Sequence, residues 1–174
     1  VFALKYYAYQ SPGGTKTKMN INHGLANVTL LYHNTIKQGY KLEECYGDLP
    51  DLLCYADELN QVWSNLIHNA LQAMNVGGCL TLETKYENKQ IVVKIADNGQ
   101  GIPKEIQAKI FTPFFTTKPA GEGSGMGLDI CRKIIEKHNG EIKFSSCPGE
   151  TVFTIILPVE GNMNDELKGL ADSG

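Results

Sequence analysis

The segment 121–130, GEGSGMGLDI, has glycine at four alternate positions and then continues as an amphipathic helix. Alternate glycines are compatible with a flexible linker, a weak strand, or a backbone left open for a ligand. A linker would not run directly into a helix that carries Leu128, Ile130 and Ile134. Glycines before a helix N-terminus let backbone N–H groups and the positive end of the helix dipole contact an anion. The segment lacks the Gly-Lys-Ser/Thr sequence of a P-loop, and no parallel strand precedes it as in a dinucleotide fingerprint.

Two asparagines form the second group of residues that could do chemistry. Asn65 and Asn69 lie four residues apart, so in a helix they share a face, and they stand beside an apolar stripe. An unpaired buried amide costs about 1–3 kcal/mol, so each needs a partner. Either the amides bond to neighbouring backbone or water, or an amide oxygen faces a hard cation such as Mg²⁺.

The third group is ADNGQGIP, residues 96–103, in which Asp97 ends a predicted buried strand and Gly99 and Gly101 follow. Asp-Asn-Gly is typical of an ordinary turn. Two glycines around a carboxylate also suit a flat ligand edge lying against the backbone. A carboxylate accepts a hydrogen bond from the exocyclic amine of adenine and repels the O6 acceptor of guanine. The pattern is therefore also compatible with a site that selects ATP over GTP.

Apolar periodicity places these groups on a helix, a strand end and a loop–helix junction. The predicted elements are a helix from Asn20 to about Lys37, a strand over 40–46, a turn and extended piece over 47–53, a helix over 58–74 capped by Asp57, a hairpin of 79–86 with 90–97, a short helix with Pro103 in its first turn, a helix from about Met126 to Asn139, and a hairpin of 141–146 with 151–158. They predict an α/β fold, a two-layer sandwich of a mixed, largely antiparallel sheet with three main helices on one face.

Composition excludes several classes of function. Sixteen basic and nineteen acidic side chains among 174 residues give a net charge of −3, without the basic stripe of a nucleic-acid binder. No apolar run approaches the roughly 18 residues of a membrane span, so we expect no membrane contact. The five cysteines show no CxxC spacing. They predict neither zinc nor disulfides, but small buried residues in a reducing cytoplasm.

The ordered motifs resemble the ATP-binding domain of two-component sensor histidine kinases, in the GHKL superfamily with its Bergerat-type fold. The resemblance covers about residues 20–158. The four matching motifs are an N box (61–74, QVWSNLIHNALQAM), a first glycine box (97–103, DNGQGIP), an F box (110–118, IFTPFFTTK) and a second glycine box (123–128, GSGMGL). The short segment between the last two resembles the compact-lid type of nitrogen-regulation-like kinases.

The resemblance also implies a domain organisation. Residues 1–10 resemble the end of a helical dimerisation domain that carries the phosphoacceptor histidine. Residues 11–19 would be a linker, 20–158 the ATP-binding catalytic domain, and 159–174 a disordered tail. The partners implied are ATP, that helical domain and, indirectly, the receiver domain of a response regulator. We expect the isolated chain to be a monomer, because in the family the helical domain dimerises.

For the site, the resemblance implies ATP and Mg²⁺ as cofactors. Asn69 would bind Mg²⁺ through its amide oxygen, and Asn65 would order metal waters or phosphates. Asp97 would hold adenine N6, with Thr151 in support through water. The residues lining the base would be Gly99, Gly101, Ile102 and Leu128.

The resemblance also implies residues that would contact the phosphates and a segment that would form a lid, residues 112–124. Lys118, flanked by Thr116 and Thr117, would be a phosphate cation on this lid, which we expect to be mobile until phosphates bind. Phe114 and Phe115 would attach the lid to the core. The phosphate-facing backbone would come from Gly123, Ser124, Gly125, Met126 and Gly127.

One departure bears on the reaction. In the hydrolysing branches of the superfamily, which include chaperones, mismatch-repair proteins and topoisomerases, the position of Asn65 carries a glutamate that activates water. Asparagine has no such basicity, which favours phosphoryl transfer over hydrolysis. No histidine here has the phosphoacceptor sequence setting; the four are His23, His33, His68 and His138. We therefore expect a histidine kinase fragment that cannot phosphorylate itself. The alternatives are a nucleotide-sensing module without kinase activity and, less favoured by Asn65, an ATPase.

Overall fold

The computed structural model describes residues 14–119, 123, 125 and 127–159. The helices in this part of the chain are α1 (Ile21–Leu31), α2 (His33–Lys37), α3 (Ala56–Ala73), α4 (Lys104–Gln107) and α5 (Gly127–Lys137). The strands are β1 (Thr17–Met19), β2 (Lys41–Tyr46), β3 (Leu52–Cys54), β4 (Cys79–Glu87), β5 (Gln90–Asp97), β6 (Glu141–Cys147) and β7 (Glu150–Pro158).

Five strands form the main sheet, in the order β2-β4-β5-β7-β6. β2 is parallel to β4, whereas the other neighbours are antiparallel. The predicted mixed, largely antiparallel sheet is confirmed. In register, Leu82 lies opposite Ile95, which lies opposite Phe153. All three are buried, as the alternation of apolar residues along the strands requires for a face that is covered by helices.

Helix α3 lies at the centre of the helical layer. It packs against α1 on one side, α5 on the other, and β5 beneath. Its apolar face, which includes the fully buried Trp63, forms the middle of the core. The alternate residues of β7 that point away from this layer are only partly buried, as the two-layer prediction requires.

Several predicted boundaries differ from the structure. The helix expected to run from Asn20 to Lys37 divides at Tyr32, whose hydroxyl lies 3.0 Å from Ser64 Oγ on α3. The prediction that Asp57 caps the central helix is wrong, because α3 already begins at Ala56 and Asp57 lies in its first turn. A carboxylate there is still favourable beside the helix dipole. Pro103 likewise precedes the first turn of α4 instead of lying in it.

Thr17–Met19, placed by the sequence in the linker, pairs antiparallel with β3 as a small second sheet. This strand was not predicted, because three residues carry too little periodicity and the partner lies far along the chain. The predictions for residues 1–10, 11–13 and 160–174 fall outside the described residues. The domain boundaries therefore stay predictions.

The cysteines only partly follow the expectation. Cys54 and Cys131 are buried, and burial raises the pKa of their thiols to about 11 and about 12, so both stay protonated at neutral pH. Cys45 and Cys147 are exposed, so the prediction of burial is wrong for these two. All five thiols are free.

Candidate functional site

Helix α3 brings Asn65 against the first turn of α5. The Asn65 Nδ2 donates to the carbonyl oxygen of Gly127 at 3.3 Å and lies 3.7 Å from the thiol of Cys131. An added Cβ on Gly127 would already lie 3.9 Å from the Asn65 amide carbon. The N box and the second glycine box, 62 residues apart along the chain, are therefore in direct contact.

The amide orientation of Asn65 leaves its oxygen available for another donor or a cation, because its nitrogen makes the contacts with α5. Asn69, one turn further along the same face, is half-buried, and its side chain makes no hydrogen bond within the described part of the chain. The Asn65 amide oxygen lies beside the first turn of α5, an environment that favours an anion, and the Asn69 amide follows one helical turn away.

Asp97 ends β5 as predicted, and its side chain is 6% exposed. Its Oδ1 accepts a hydrogen bond from the Gly99 N–H at 2.9 Å. Burial raises the pKa of this carboxyl, and the Gly99 bond offsets part of the rise. The carboxylate is thus held by one backbone donor, which leaves Oδ2 for a ligand amine.

The two glycines of the first box are enclosed by protein backbone. A Cβ on Gly99 would lie 2.4 Å from the carbonyl oxygen of Ala73 at the end of α3. A Cβ on Gly101 would lie 2.4 Å from the carbonyl oxygen of Cys147, and Gly101 has a φ of +81°. Glycine is needed at both positions to join the end of β5 to α3 and to the β6–β7 turn. That they also make room for a base stays a prediction.

Thr151 lies opposite Asp97 across β5 and β7. Its hydroxyl is 2.7 Å from that of Ser146, which also accepts the N–H of Ile102 at 2.8 Å. Sequence analysis missed Ser146. Its only signal was the register of the second hairpin, which places it across from Thr151. The partly buried Ile102 is held in place by this pair of hydroxyls, next to the Asp97 turn.

The F box is attached to the sheet by a phenylalanine that sequence analysis did not single out. Phe111 makes edge contacts with Phe144 and Phe153, with ring centroids 5.9 and 6.5 Å apart, and the Arg132 guanidinium lies 5.8 Å from its ring. Phe115 packs against the core as predicted. The same prediction is wrong for Phe114, which is 71% exposed with a φ of +64°.

Beyond the phenylalanines, the chain turns back over α3. The Lys118 N–H donates to Thr116 Oγ1 at 3.1 Å, and the Lys118 ammonium donates to Oε1 of Gln72. Burial lowers the pKa of Lys118. Burial and the charge of Lys118 together lower the pKa of His68, which favours a neutral imidazole. Thr117 is exposed.

Gly125, just beyond the lid, packs closely against the backbone of Phe114. It has a φ of +66°, and an added Cβ would lie 2.3 Å from the carbonyl carbon of Phe114. An added Cβ on Gly123 would lie 2.8 Å from both Thr116 Oγ1 and Lys118 Cδ. The partly buried Leu128, in the first turn of α5, packs on the core. Ser124 and Met126 lie outside the described residues.

The structure thus brings the predicted residues together in two groups. The first, at the end of β5, contains Asp97, Gly99, Gly101, Ile102 and Thr151. The second, between α3, the lid and α5, contains Asn65, Asn69, Thr116, Lys118, Gly123, Gly125, Gly127 and Leu128. Helix α3 carries the two asparagines of the second group, and its end contacts the turn of the first, where the Gln100 N–H donates to the carbonyl oxygen of Ala73 at 3.2 Å.

The other three histidines lie outside these two groups. His23 and His33 are exposed on α1 and α2. His138 follows the end of α5, where its Nε2 accepts the Tyr55 N–H at 3.0 Å and its Nδ1 donates to the carbonyl of Ile134 at 2.7 Å. It therefore connects the end of α5 to the start of α3.

The amide side chains of the site are compatible with Mg²⁺. Among the described residues, no three His, Cys, Asp or Glu side chains cluster as metal ligands. One amide oxygen, from Asn69, suits a hard cation that takes its other ligands from phosphates and water.

None of the helices in the described ranges is long and apolar enough to cross a bilayer.

Residues 54–161 match the family described as histidine kinase-, DNA gyrase B- and HSP90-like ATPase. The chain is 35% identical over 159 residues to the sensory histidine kinase/phosphatase NtrB of Proteus hauseri, a match that covers 84% of this chain and 45% of NtrB. It is 35% identical over 137 residues to sporulation kinase C of Bacillus subtilis (strain 168), covering 77% of this chain and 32% of that kinase. The chain therefore spans less than half the length of these curated relatives.

Solved structures show the same similarity. The nucleotide-free catalytic domain of histidine kinase ThkA superposes with a TM-score of 0.76 at 31% identity, covering 83% of this chain and 95% of that one. ThkA in complex with the response regulator protein TrrA superposes with a TM-score of 0.69 at 30% identity, covering 83% of this chain and 42% of that one. The predicted fold class is thereby confirmed.

Proposed function

The chain belongs to the histidine kinase-, DNA gyrase B- and HSP90-like ATPase family, and we propose that it is the ATP-binding catalytic domain of a sensor histidine kinase. Its reaction transfers the γ-phosphoryl group of ATP to a histidine on a separate helical dimerisation domain. A response regulator aspartate then receives the group. The sensor kinases among the relatives and the ThkA–TrrA complex support this proposal.

The observation that carries the proposal is the contact of Asn65 with the start of α5. Asn65 stands at the position where the resemblance implies a glutamate base in the hydrolysing branches of the superfamily, and in this chain that side chain is an amide. An amide side chain cannot accept a proton from water at neutral pH, so water is not activated there. What this chain contributes is placement and charge, which is sufficient for phosphoryl transfer to a nucleophile supplied by another domain.

Each group of the site has its role in this proposal. Asp97 accepts a hydrogen bond from adenine N6, supported by Thr151 through water, beside Gly99, Gly101 and Ile102. Leu128, from the second group, is a further apolar contact for the base in this proposal. Asn69 would hold Mg²⁺, with Asn65 ordering its waters or the phosphates. When bound, the ion supplies charge neutralisation on the phosphate oxygens.

The lid contributes the remaining parts. Lys118 is a cation for the phosphates, flanked by Thr116 and Thr117. The open backbone of the second glycine box, including Ser124 and Met126, lines the phosphate tail. We further propose that the isolated chain is monomeric and that it works in the cytoplasm, where free thiols are stable.

The test supplies the chain with Mg²⁺, labelled ATP and the helical domain of the parent kinase. Label is expected on the helical domain and none on the chain alone. Asn69→Ala should abolish labelling while Asn75→Ala, an exposed asparagine just beyond α3, serves as the matched control. Labelling that survives Asn69→Ala and Asp97→Asn would refute the site.

The second candidate is a nucleotide-sensing module that transfers nothing. The absence of a phosphoacceptor sequence setting around the four histidines is compatible with it. Calorimetry with ATP and Mg²⁺ establishes binding in either case. Only the transfer experiment separates the two, because a sensing module binds ATP and leaves the helical domain unlabelled.

A further inference from the structure

The polar face of α3 extends one turn beyond the two asparagines. Asn65, His68, Asn69 and Gln72 follow at intervals of three, one and three residues. These intervals place all four on one side of the helix. Gln72 is an exposed side chain on a surface helix, and by itself it gives no reason to assign it a role.

The contact that singles out Gln72 comes from the lid. The Lys118 ammonium donates to Oε1 of Gln72. The backbone N–H of Lys118 donates to Thr116 Oγ1 at 3.1 Å. An added Cβ on Gly123 would lie 2.8 Å from Cδ of Lys118. The lysine is therefore held at its backbone by Thr116 and at its charged end by Gln72, and its stem passes close to Gly123.

The neutral amide of Gln72 suits a lysine that must remain available. A glutamine oxygen accepts one of the three ammonium protons and leaves two, together with the full positive charge. A carboxylate at the same position would neutralise that charge and repel phosphates. Because Gln72 lies three residues after Asn69, the ammonium lies about one helical turn from the proposed metal ligand.

We infer that Gln72 is a positioning residue for phosphoryl transfer, which holds the Lys118 ammonium beside Asn69 with its charge free for the nucleotide phosphates. Gln72 acts through Lys118 and need not touch the nucleotide. The inference rests on the proposed ATP-binding function and adds to it the residue that places the cation of the lid.

The test measures the dissociation constant for ATP with Mg²⁺ on the full chain, and kcat and KM of transfer to the helical domain. Gln72→Met, which keeps the length of the side chain without its acceptor, should weaken ATP binding about threefold to tenfold. Gln72→Glu should weaken it more. Melting temperatures should stay unchanged, because the side chain is exposed. The control is Gln90→Met, an exposed glutamine at the opposite end of β5 from Asp97.

A double variant separates positioning from a general effect on the helix. If Gln72 acts through the lysine, Gln72→Met adds nothing to the loss caused by Lys118→Ala. An undiminished effect of Gln72→Met in the Lys118→Ala background would overturn the inference, as would wild-type constants for both Gln72 variants.

Failure of the inference can be told apart from failure of the proposed function. If the wild-type chain binds ATP, Asp97→Asn weakens binding and the Gln72 variants are normal, only the positioning role is overturned. If the wild-type chain binds no ATP, both proposals fall together.

Discussion

The two halves of the site are built differently. At the end of β5, the Asp97 turn is enclosed by backbone from α3 and from the β6–β7 turn, each only 2.4 Å from where a glycine Cβ would lie. In the lid, the backbone of Phe114 is packed as closely against Gly125, but the Phe114 side chain is 71% exposed and the Lys118 ammonium is held by one exposed glutamine. For the proposed function, this contrast predicts a more rigid site for the base and a more adjustable site for the phosphates. Stability should depend on the first half, and catalysis on both.

The largest effect is expected for Gly101→Ala. The new methyl group would collide with the carbonyl of Cys147, and alanine disfavours a φ of +81°. We expect a loss of about 3 kcal/mol in the free energy of unfolding, measured by urea denaturation. Gly77→Ala is the control, because Gly77 has a φ of +95° but no atom within 4 Å of the added Cβ. It should cost about 1 kcal/mol. Equal losses would show that backbone strain alone, and not the packing of the base site, requires glycine.

Asp97→Asn should separate binding from stability in this half. We expect ATP affinity to fall by about 10- to 100-fold, since a charged acceptor is replaced by an amide. Burial raises the folded-state pKa of Asp97, so this carboxyl favours folding at low pH and that contribution is lost as the pH rises through the folded pKa. At neutral pH the variant should therefore melt at the same temperature or higher. A lower melting temperature with unchanged ATP affinity would contradict the assignment of Asp97 to the base.

Phe111→Ala and Phe114→Ala compare the residue just before the lid with an exposed residue inside it. Phe111 packs on Phe144 and Phe153, so its truncation should cost about 2 kcal/mol of unfolding free energy. Phe114 is exposed, and its truncation should cost less than about 0.5 kcal/mol. Urea denaturation of both variants tests this. Similar losses would mean that the lid is attached along its whole length, and the contrast between the halves would disappear.

The smallest effect is expected from His138, which lies outside both halves and connects the end of α5 to the start of α3. Burial lowers its pKa, and its Nε2 must be unprotonated to accept the Tyr55 N–H. The charged groups around it are Lys16, Glu58 and Lys137. Because the unfolded chain binds the proton more readily, stability should fall as the pH drops below about 6.5. Denaturation midpoints at pH 7.5 and 5.5 measure this dependence. His138→Leu should show a smaller fall between these two pH values than the wild type.

The sequence predicted the elements and the motifs well because their signals are local. The period of apolar residues identified α3 and both hairpins, and the positions of Asn65, Asp97 and Gly127 followed from the boxes themselves. The division at Tyr32, the strand β1 and the exposure of Phe114 were missed. Each depends on a partner distant in sequence, or on the absence of one.

By itself, the sequence determined the fold class, the family resemblance and the residue types of the site, because periodicity and motif spacing are properties of neighbouring residues. Only the tertiary structure decided which groups meet. It joins Asn65 to Gly127, Thr151 to Ser146 and Lys118 to Gln72. It also decided that Phe111, and not Phe114, attaches the lid to the sheet. Most of these contacts join segments tens of residues apart, and they depend on how the helices pack on the sheet, which no local pattern specifies.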